Sequence, residues 1–266
     1  MSNRIVSTFS TLRSQQRKAL MPFVCAGDPG MPETEGILKG LDAAGASVIE
    51  VGIPFSDPVA DGPVIQAAMN RALVKGLKVS QLLESVARVR PQVKAGLVAM
   101  VSYSIVHRLG LEAFLKDAAA AGFDGMIFPD LTLEEADASL AACAKHGVTL
   151  SLLIAPTTPI ERAEKIAKAS TGFVYVMSRA GITGVRSELP PELPQRVARL
   201  RQVTDLPLAV GFGVSDAAQV KSVVSVADAA IVGSALCKRI HDAAQAGEDP
   251  VAAATAFTRE LAGGLA

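Results

Sequence analysis

The chain has 266 residues, of which half are apolar, only 4% are aromatic and none is Trp. This length is typical of one large domain, and a core built from Ala, Val, Leu and Ile is typical of parallel strands covered by helices. Because 26 basic residues balance 26 acidic ones without a basic run, we expect a small-molecule ligand, and neither nucleic acid nor a membrane as a partner.

Short apolar segments alternate with longer amphipathic ones along the chain. The first 19 residues predict an extra helix that covers one end of the fold. Eight strands are then predicted at Pro22–Ala26, Val48–Gly52, Leu97–Val101, Gly125–Phe128, Thr149–Ile154, Phe173–Met177, Pro207–Val210 and Ala229–Val232. The predicted helices are Glu33–Ala44, Gln81–Val89, Leu111–Ala121, Glu134–Lys145, Ile160–Ala169, Pro191–Val203, Asp216–Val224 and Ala235–Ala246.

This alternation predicts a parallel sheet. An open doubly wound sheet is the competing architecture, but eight near-equal units in a chain of about 250 residues favour a closed (β/α)8 barrel of the TIM type. No Gly/Ser-rich linker divides the chain, so we expect residues 1–266 to form a single barrel domain. In such barrels the active site lies on the loops at the carboxyl ends of the strands.

The stretch VIEVGIPFSDPVADGP, residues 48–63, places three carboxylates near one strand end. Glu50 stands alone among apolar residues of a strand, and a buried carboxylate is usually paired, protonated or functional. Asp61 follows in a Pro-rich loop, and these two are the acid/base candidates. The structural alternatives are a loop-capping carboxylate for Glu50 and a turn-forming Asp before a Gly for Asp61. Asp57 is interpreted as a turn or partner-contact residue, and Asp28 as a loop-stabilising carboxylate near the first strand.

Two Gly-rich turns predict a phosphate site. Gly211-Phe212-Gly213 and Gly233-Ser234 follow the last two predicted strands, where backbone N–H groups and helix N-termini favour an anion. A third Gly-spaced segment, residues 179–184, is interpreted as a lid, with an ordinary surface loop as the alternative.

Several other classes of site are not supported. The three cysteines, Cys25, Cys143 and Cys237, lack the spacing of a disulfide framework or a zinc site, and they suit the reducing cytoplasm. The three histidines lie on different units, so no metal is predicted. No Lys lies inside a predicted strand, which argues against a Schiff-base aldolase. The N-terminus lacks an apolar signal segment, and no apolar run is long enough to span a membrane.

The sequence resembles the tryptophan synthase alpha subunit family along nearly its whole length. The segments that carry the resemblance are PFVCAGDPG, IEVGIPFSDPVADGP, GFDGMIFPDL, FVYVMSRAGITG, AVGFGVS and IVGSAL. It implies a lyase that splits indole-3-glycerol phosphate into indole and glyceraldehyde 3-phosphate. It also implies a beta-subunit partner that uses the indole and carries pyridoxal phosphate, in an alpha2beta2 heterotetramer, with no cofactor in this chain.

The resemblance also assigns roles to residues. It implies that Glu50 shuttles the proton, with a pKa raised by Val48, Val51 and Ile53, and that ionised Asp61 binds the indole N–H. The implied indole pocket consists of Phe23, Ile65, Tyr175 and Phe212, and the implied phosphate site of Gly184, Gly213, Gly233 and Ser234. Residues 54–62 and 179–189 resemble the mobile loops of the family, and Thr183 is implied to contact Asp61 on closure.

The chain departs from the family pattern at a few positions. Ser102-Tyr103-Ser104-Ile105 replaces the usual Tyr and Asn after the third strand, which removes an aromatic wall and a loop-fixing Asn. Cys25 replaces a Thr, and Thr132 a Pro. Two alternatives therefore stay open, namely a stand-alone indole-releasing lyase and a catalytically silent barrel that only activates its partner.

Overall fold

The structure is a computed structural model that describes residues 3–59, 61–178, 190–211 and 213–265. These residues contain nine parallel strands, which are β1 (Ala19–Cys25), β2 (Val48–Gly52), β3 (Gly96–Met100), β4 (Gly125–Ile127), β5 (Thr149–Leu150), β6 (Leu153–Ile154), β7 (Val174–Met177), β8 (Leu208–Gly211) and β9 (Ala229–Val232). Helices connect the consecutive strands, as parallel pairing requires, except between β5 and β6, which follow each other directly.

Twelve α-helices lie in the same residues. They are α1 (Arg4–Ser14), α2 (Met31–Ala43), α3 (Pro63–Val74), α4 (Val79–Val89), α5 (Tyr103–Leu109), α6 (Leu111–Ala121), α7 (Ala136–Lys145), α8 (Ile160–Ala169), α9 (Leu193–Leu200), α10 (Ala217–Val226), α11 (Ser234–Gln245) and α12 (Pro250–Ala262). None of the described helices has the length and apolar character needed to span a bilayer.

The sheet closes through its shortest strands. Its order is β5-β4-β3-β2-β1-β9-β8-β7-β6, so the two ends of the order, β5 and β6, are separated in the chain only by Ser151 and Leu152. The Ser151 N–H donates to the Met126 carbonyl at 3.0 Å on one side, and the Leu152 carbonyl accepts from the Tyr175 N–H at 3.2 Å on the other. The predicted strand Thr149–Ile154 is therefore present in two parts, and the predicted barrel is confirmed.

Alternate residues of each strand pack on opposite faces of the barrel wall. In β1, Met21 and Phe23 point into the barrel, whereas Leu20 and Val24 pack against the surrounding helices. The outer layer is the larger one and consists mainly of aliphatic side chains. This two-layer core explains why a chain with so few aromatic residues can cover a complete barrel.

The predicted N-terminal helix is present as α1 and closes the amino end of the barrel. Its N-cap, Asn3, accepts from the Ile5 and Val6 N–H groups and donates to the Asp124 carbonyl at 2.6 Å. Ile5 is fully buried inside the barrel, and the Phe9 ring lies 6.1 Å from the ring of Phe173.

Most predicted elements agree with the structure to within a few residues. Val48–Gly52, Ala229–Val232, Leu111–Ala121 and Ile160–Ala169 have the predicted bounds. The helices α3, α5 and α12 were not among those predicted, and α9 is shorter than the predicted Pro191–Val203.

Candidate active site

Glu50 lies inside the barrel with no exposed surface. Its Cα partners in the sheet are Phe23 of β1 and Val98 of β3, whose side chains point into the barrel with it. Neither carboxylate oxygen has a hydrogen-bond partner among the described residues. Burial therefore raises the pKa of Glu50 to about 8, so the group is largely protonated at neutral pH.

The residues that desolvate Glu50 differ from those expected. Val51 and Ile53 pack in the outer layer between the barrel and its helices, and only Val48 shares the interior with Glu50. The expectation that Val51 and Ile53 enclose the carboxylate is wrong, because successive strand residues point to opposite faces.

Asp61 lies in the loop after β2, two residues before α3 begins at Pro63. Burial at the rim of the barrel raises its pKa to about 6, so it is mainly ionised at neutral pH. Burial, and after it the negative charges of Glu50 and Asp61, raise the pKa of Tyr175 well above its ordinary value. Tyr175 thus lies within electrostatic reach of both carboxylates.

A cavity of about 1150 Å³ opens at the carboxyl ends of the strands and contains both carboxylates. Six of the binding residues expected from sequence also line it, namely Phe23, Ile65, Tyr175, Gly213, Gly233 and Ser234. The other three, Thr183, Gly184 and Phe212, lie outside the described residues. An apolar chamber with a few convergent polar groups is typical of a small-molecule site.

The rim of this cavity offers backbone donors on one side. Ser234 is the first residue of α11, and the first N–H groups of a helix have no partner within the helix. Gly213 has a φ of +89°, a conformation that glycine adopts without strain. Lys238 and Arg239, in the early turns of α11, also line the cavity, where Lys238 pairs with Asp242 at 2.6 Å and Arg239 lies over the Phe257 ring. This side of the rim is suited to an anion such as a phosphate.

Several lining residues were missed by sequence reasoning. They include Val64, Met100, Leu153, Met177 and Ile231, which all pack in or against the interior cluster. The alternation of side chains along each strand is the signal that would have found the four strand residues, once the register of the strands against Glu50 is known, whereas Val64 lies on α3.

The other carboxylates of interest have structural partners. Asp28 is buried and forms a bidentate pair with Arg71, with N–O distances of 2.9 and 2.7 Å. Asp57 accepts a 2.5 Å hydrogen bond from Ser56 in an exposed turn. Within the described ranges, no group of three His, Cys, Asp or Glu residues is arranged to hold a metal ion, and all three cysteines are buried free thiols.

The unusual segment after β3 is fixed by Asp130. The Ser102 hydroxyl and the Tyr103 N–H each donate to this carboxylate at 2.7 Å, and the Tyr103 ring packs 5.7 Å from the ring of Phe128. The segment is therefore held without the Asn that is usual in the resembled family. Met100, at the end of β3, contributes to the cavity wall here.

The chain is similar to known proteins over almost all of its length. Residues 9–265 match the family described as tryptophan synthase alpha chain. The chain is 48% identical over 233 residues to the tryptophan synthase alpha chain of Picosynechococcus sp., covering 87% of this chain and 88% of that protein. It is 49% identical over 238 residues to that of Trichormus variabilis, covering 89% of each.

Solved structures agree with the sequence comparison. Tryptophan synthase subunit alpha from Legionella pneumophila superposes with a TM-score of 0.91 at 34% identity, covering 100% of this chain and 99% of that chain. A chain of Mycobacterium tuberculosis tryptophan synthase gives a TM-score of 0.90 at 36% identity, with the same coverage. Fold, cavity and sequence thus lead to one conclusion: this chain belongs to the tryptophan synthase alpha chain family.

Proposed function

We propose that this chain, as one lyase domain of residues 1–266, cleaves indole-3-glycerol phosphate to indole and glyceraldehyde 3-phosphate, with Glu50 and Asp61 as its catalytic residues. The observation that carries the proposal is the pair of carboxylates in one cavity, of which Glu50 is protonated and Asp61 ionised at neutral pH. Carboxyl groups with separated pKa values are suited to different roles in one acid/base reaction.

Glu50 is the proton shuttle in this proposal. Its carboxylic acid protonates C3 of the indole, which gives an indoleninium cation and leaves a Glu50 carboxylate. The carboxylate then removes the proton of the side-chain hydroxyl next to the ring. As the hydroxyl oxygen becomes a carbonyl, the electron pair of the carbon–carbon bond returns to the ring, and Glu50 regains its proton.

Asp61 stabilises the cation. Its ionised carboxylate accepts a hydrogen bond from the indole N–H, and this interaction strengthens as positive charge develops on the ring. Phe23, Ile65 and Tyr175 supply the walls that a flat aromatic ring requires, together with Phe212.

The phosphate binds at the side of the rim that carries the backbone N–H donors. Gly213, Gly233 and Ser234 present backbone donors there, and Gly184 completes the site in this proposal. Holding the phosphate at the rim places the indole end of the substrate deep in the barrel, next to Glu50.

The alpha chain functions with a beta subunit in the cytoplasm, as an alpha2beta2 assembly in which the partner carries pyridoxal phosphate and this chain carries no cofactor. Membership of the family and the similarity to a chain of a tryptophan synthase structure support this assignment. The contact with Asp61 that the resemblance implies for Thr183 is part of this proposal.

One assay tests the function. Purified protein is given indole-3-glycerol phosphate, and free indole is measured with and without a beta subunit of the family. Slow release that accelerates on adding the beta subunit is expected. Fast release that does not respond to the partner would identify a stand-alone lyase, and no release under either condition would identify a silent barrel.

A further inference from the structure

The position of the Asp61 carboxylate depends on the main chain at Asp61 and not on a side-chain partner among the described residues. Among the described residues, no side chain donates a hydrogen bond to it, and burial is the only cause of its raised pKa. Any group that fixes the main chain at Asp61 therefore also fixes the carboxylate relative to the cavity.

The side-chain amide of Gln66 makes this connection. Its Nε2 donates to the Asp61 carbonyl at 2.8 Å and to the Pro58 carbonyl at 3.3 Å. The Pro58 carbonyl also accepts from the Asp61 N–H at 3.0 Å. One amide group thus holds both ends of the turn that leads to Asp61.

Gln66 is itself held firmly by α3. Its N–H donates to the Gly62 carbonyl at 2.9 Å, which starts the helix. Further along α3, Ala68 and Met69 are buried in the barrel interior, and Arg71 forms the bidentate pair with Asp28 in the loop after β1. The hydrogen bonds of the Gln66 amide therefore connect the turn to a helix that is fixed on the barrel wall.

We propose that Gln66 is a positioning residue for catalysis, which sets the place of the Asp61 carboxylate in the cavity through hydrogen bonds to the Asp61 and Pro58 carbonyl oxygens. This inference rests on the proposed role of Asp61. A side chain that only stabilised the helix or the loop would affect unfolding without changing the rate constant of the folded protein.

Two substitutions separate these roles. Gln66→Met removes the donor at similar volume, so kcat is expected to fall roughly 10- to 100-fold. KM should change less than about 3-fold, because other residues supply most contacts to the ring and the phosphate, and the Asp61 contact strengthens only as charge develops on the ring. Gln66→Glu places a carboxylate against two carbonyl oxygens at pH 8, but offers an O–H donor once protonated. Its kcat relative to wild type should therefore rise as the pH is lowered from 8 to 5.5.

Gln81→Glu on α4 is the matched control, because Gln81 accepts a hydrogen bond from the Lys78 N–H and a carboxylate can do the same. It should leave kcat unchanged at every pH. Wild-type kcat in Gln66→Met would overturn the proposal. A kcat ratio for Gln66→Glu that stays constant with pH would overturn it as well.

A second measurement does not depend on turnover. Carbon-13 NMR titration of the Asp61 carboxyl, identified by its loss in Asp61→Asn, should give a pKa near 6 in wild type and a lower value in Gln66→Met, as the freed turn exposes the group. An unchanged pKa in the variant overturns the positioning role. Absence of indole release by wild type with its partner overturns the proposed function instead, so the two failures are distinguishable.

Discussion

Phe23 and Glu50 are Cα partners in the parallel ladder of β1 and β2, and both side chains line the same cavity. The register thus places an aromatic ring of the proposed indole pocket directly beside the carboxylate. The same apolar neighbour that would hold the substrate keeps water from Glu50 and raises its pKa.

Replacement of Glu50 tests the proton shuttle. Glu50→Gln keeps the shape of the side chain but cannot exchange a proton, so the rate of indole release is expected to fall about 10²- to 10⁴-fold, with little change in KM. Steady-state assays with the beta subunit measure both constants. Glu84→Gln, on the exposed face of α4, is the matched control and should behave as wild type. A turnover number near wild type in Glu50→Gln would refute the shuttle role.

The same substitution should alter stability with a defined sign. Because the folded pKa of Glu50 is about 8 and its ordinary value is 4.5, the folded protein keeps a proton that the unfolded chain releases across this window. The contribution of Glu50 to the free energy of unfolding is therefore complete below pH 4.5 and is lost as the pH rises towards 8, by roughly 1.4 kcal/mol per pH unit. Urea denaturation at several pH values should show this slope in wild type and not in Glu50→Gln. Parallel curves for the two proteins would contradict the buried, protonated state.

The pH dependence of kcat/KM follows from the two carboxylates. The proposed mechanism requires Asp61 ionised and Glu50 protonated, so activity should fall below about pH 6 and above about pH 8. Since the phosphate of the substrate also titrates near pH 6, the basic limb is the diagnostic one. Activity that stays constant from pH 8 to pH 10 would show that a protonated Glu50 is not required.

The phosphate rim can be tested by adding a charge. Ser234→Asp places a carboxylate at the first residue of α11, where it would repel a phosphate but interact well with the helix dipole. We expect KM to rise at least about 10-fold, with little change in melting temperature. Ser80→Asp, at the exposed start of α4, is the control for the helix effect and should not alter KM. An unchanged KM in Ser234→Asp would exclude this end of α11 from phosphate binding.

The ion pair between buried Asp28 and half-buried Arg71 should matter for folding. Arg71→Met leaves the Asp28 carboxylate buried without its partner, and the free energy of unfolding is expected to fall by about 3 kcal/mol. Denaturant titration measures this change. The double variant Asp28→Asn with Arg71→Met should recover part of the loss, because the uncompensated charge is gone. A double variant less stable than Arg71→Met would contradict this reasoning.

The architecture was largely predictable because each unit repeats the same pattern of an apolar strand followed by an amphipathic helix. The strand Val48–Gly52 agrees residue by residue. The helix α3 was harder to predict, because its start at Pro63 directly follows a loop rich in Pro and Gly, and α5 has only seven residues. Short helices leave little periodicity to detect.

The candidate site was likewise predictable only in part. Glu50 was identifiable because a lone charge in an apolar strand is conspicuous, and the structure places it in the cavity with Asp61. The resemblance implied Phe23 as a pocket residue, but its pairing with Glu50, and that of Val98, could not be predicted, since strand register is a property that one sequence does not encode locally. The Gln66 contact with Asp61 depends on the missed helix α3 and was hidden for the same reason.

The position of helix α1 limits the routes by which a small product can leave the barrel. Ile5 and Phe9 block the amino end of the barrel. A small hydrophobic product released beside Glu50 therefore leaves through the carboxyl ends of the strands, where its precursor entered. The substrate then enters and the product leaves through the same opening. A second protein seated over that opening would receive the product before bulk water does.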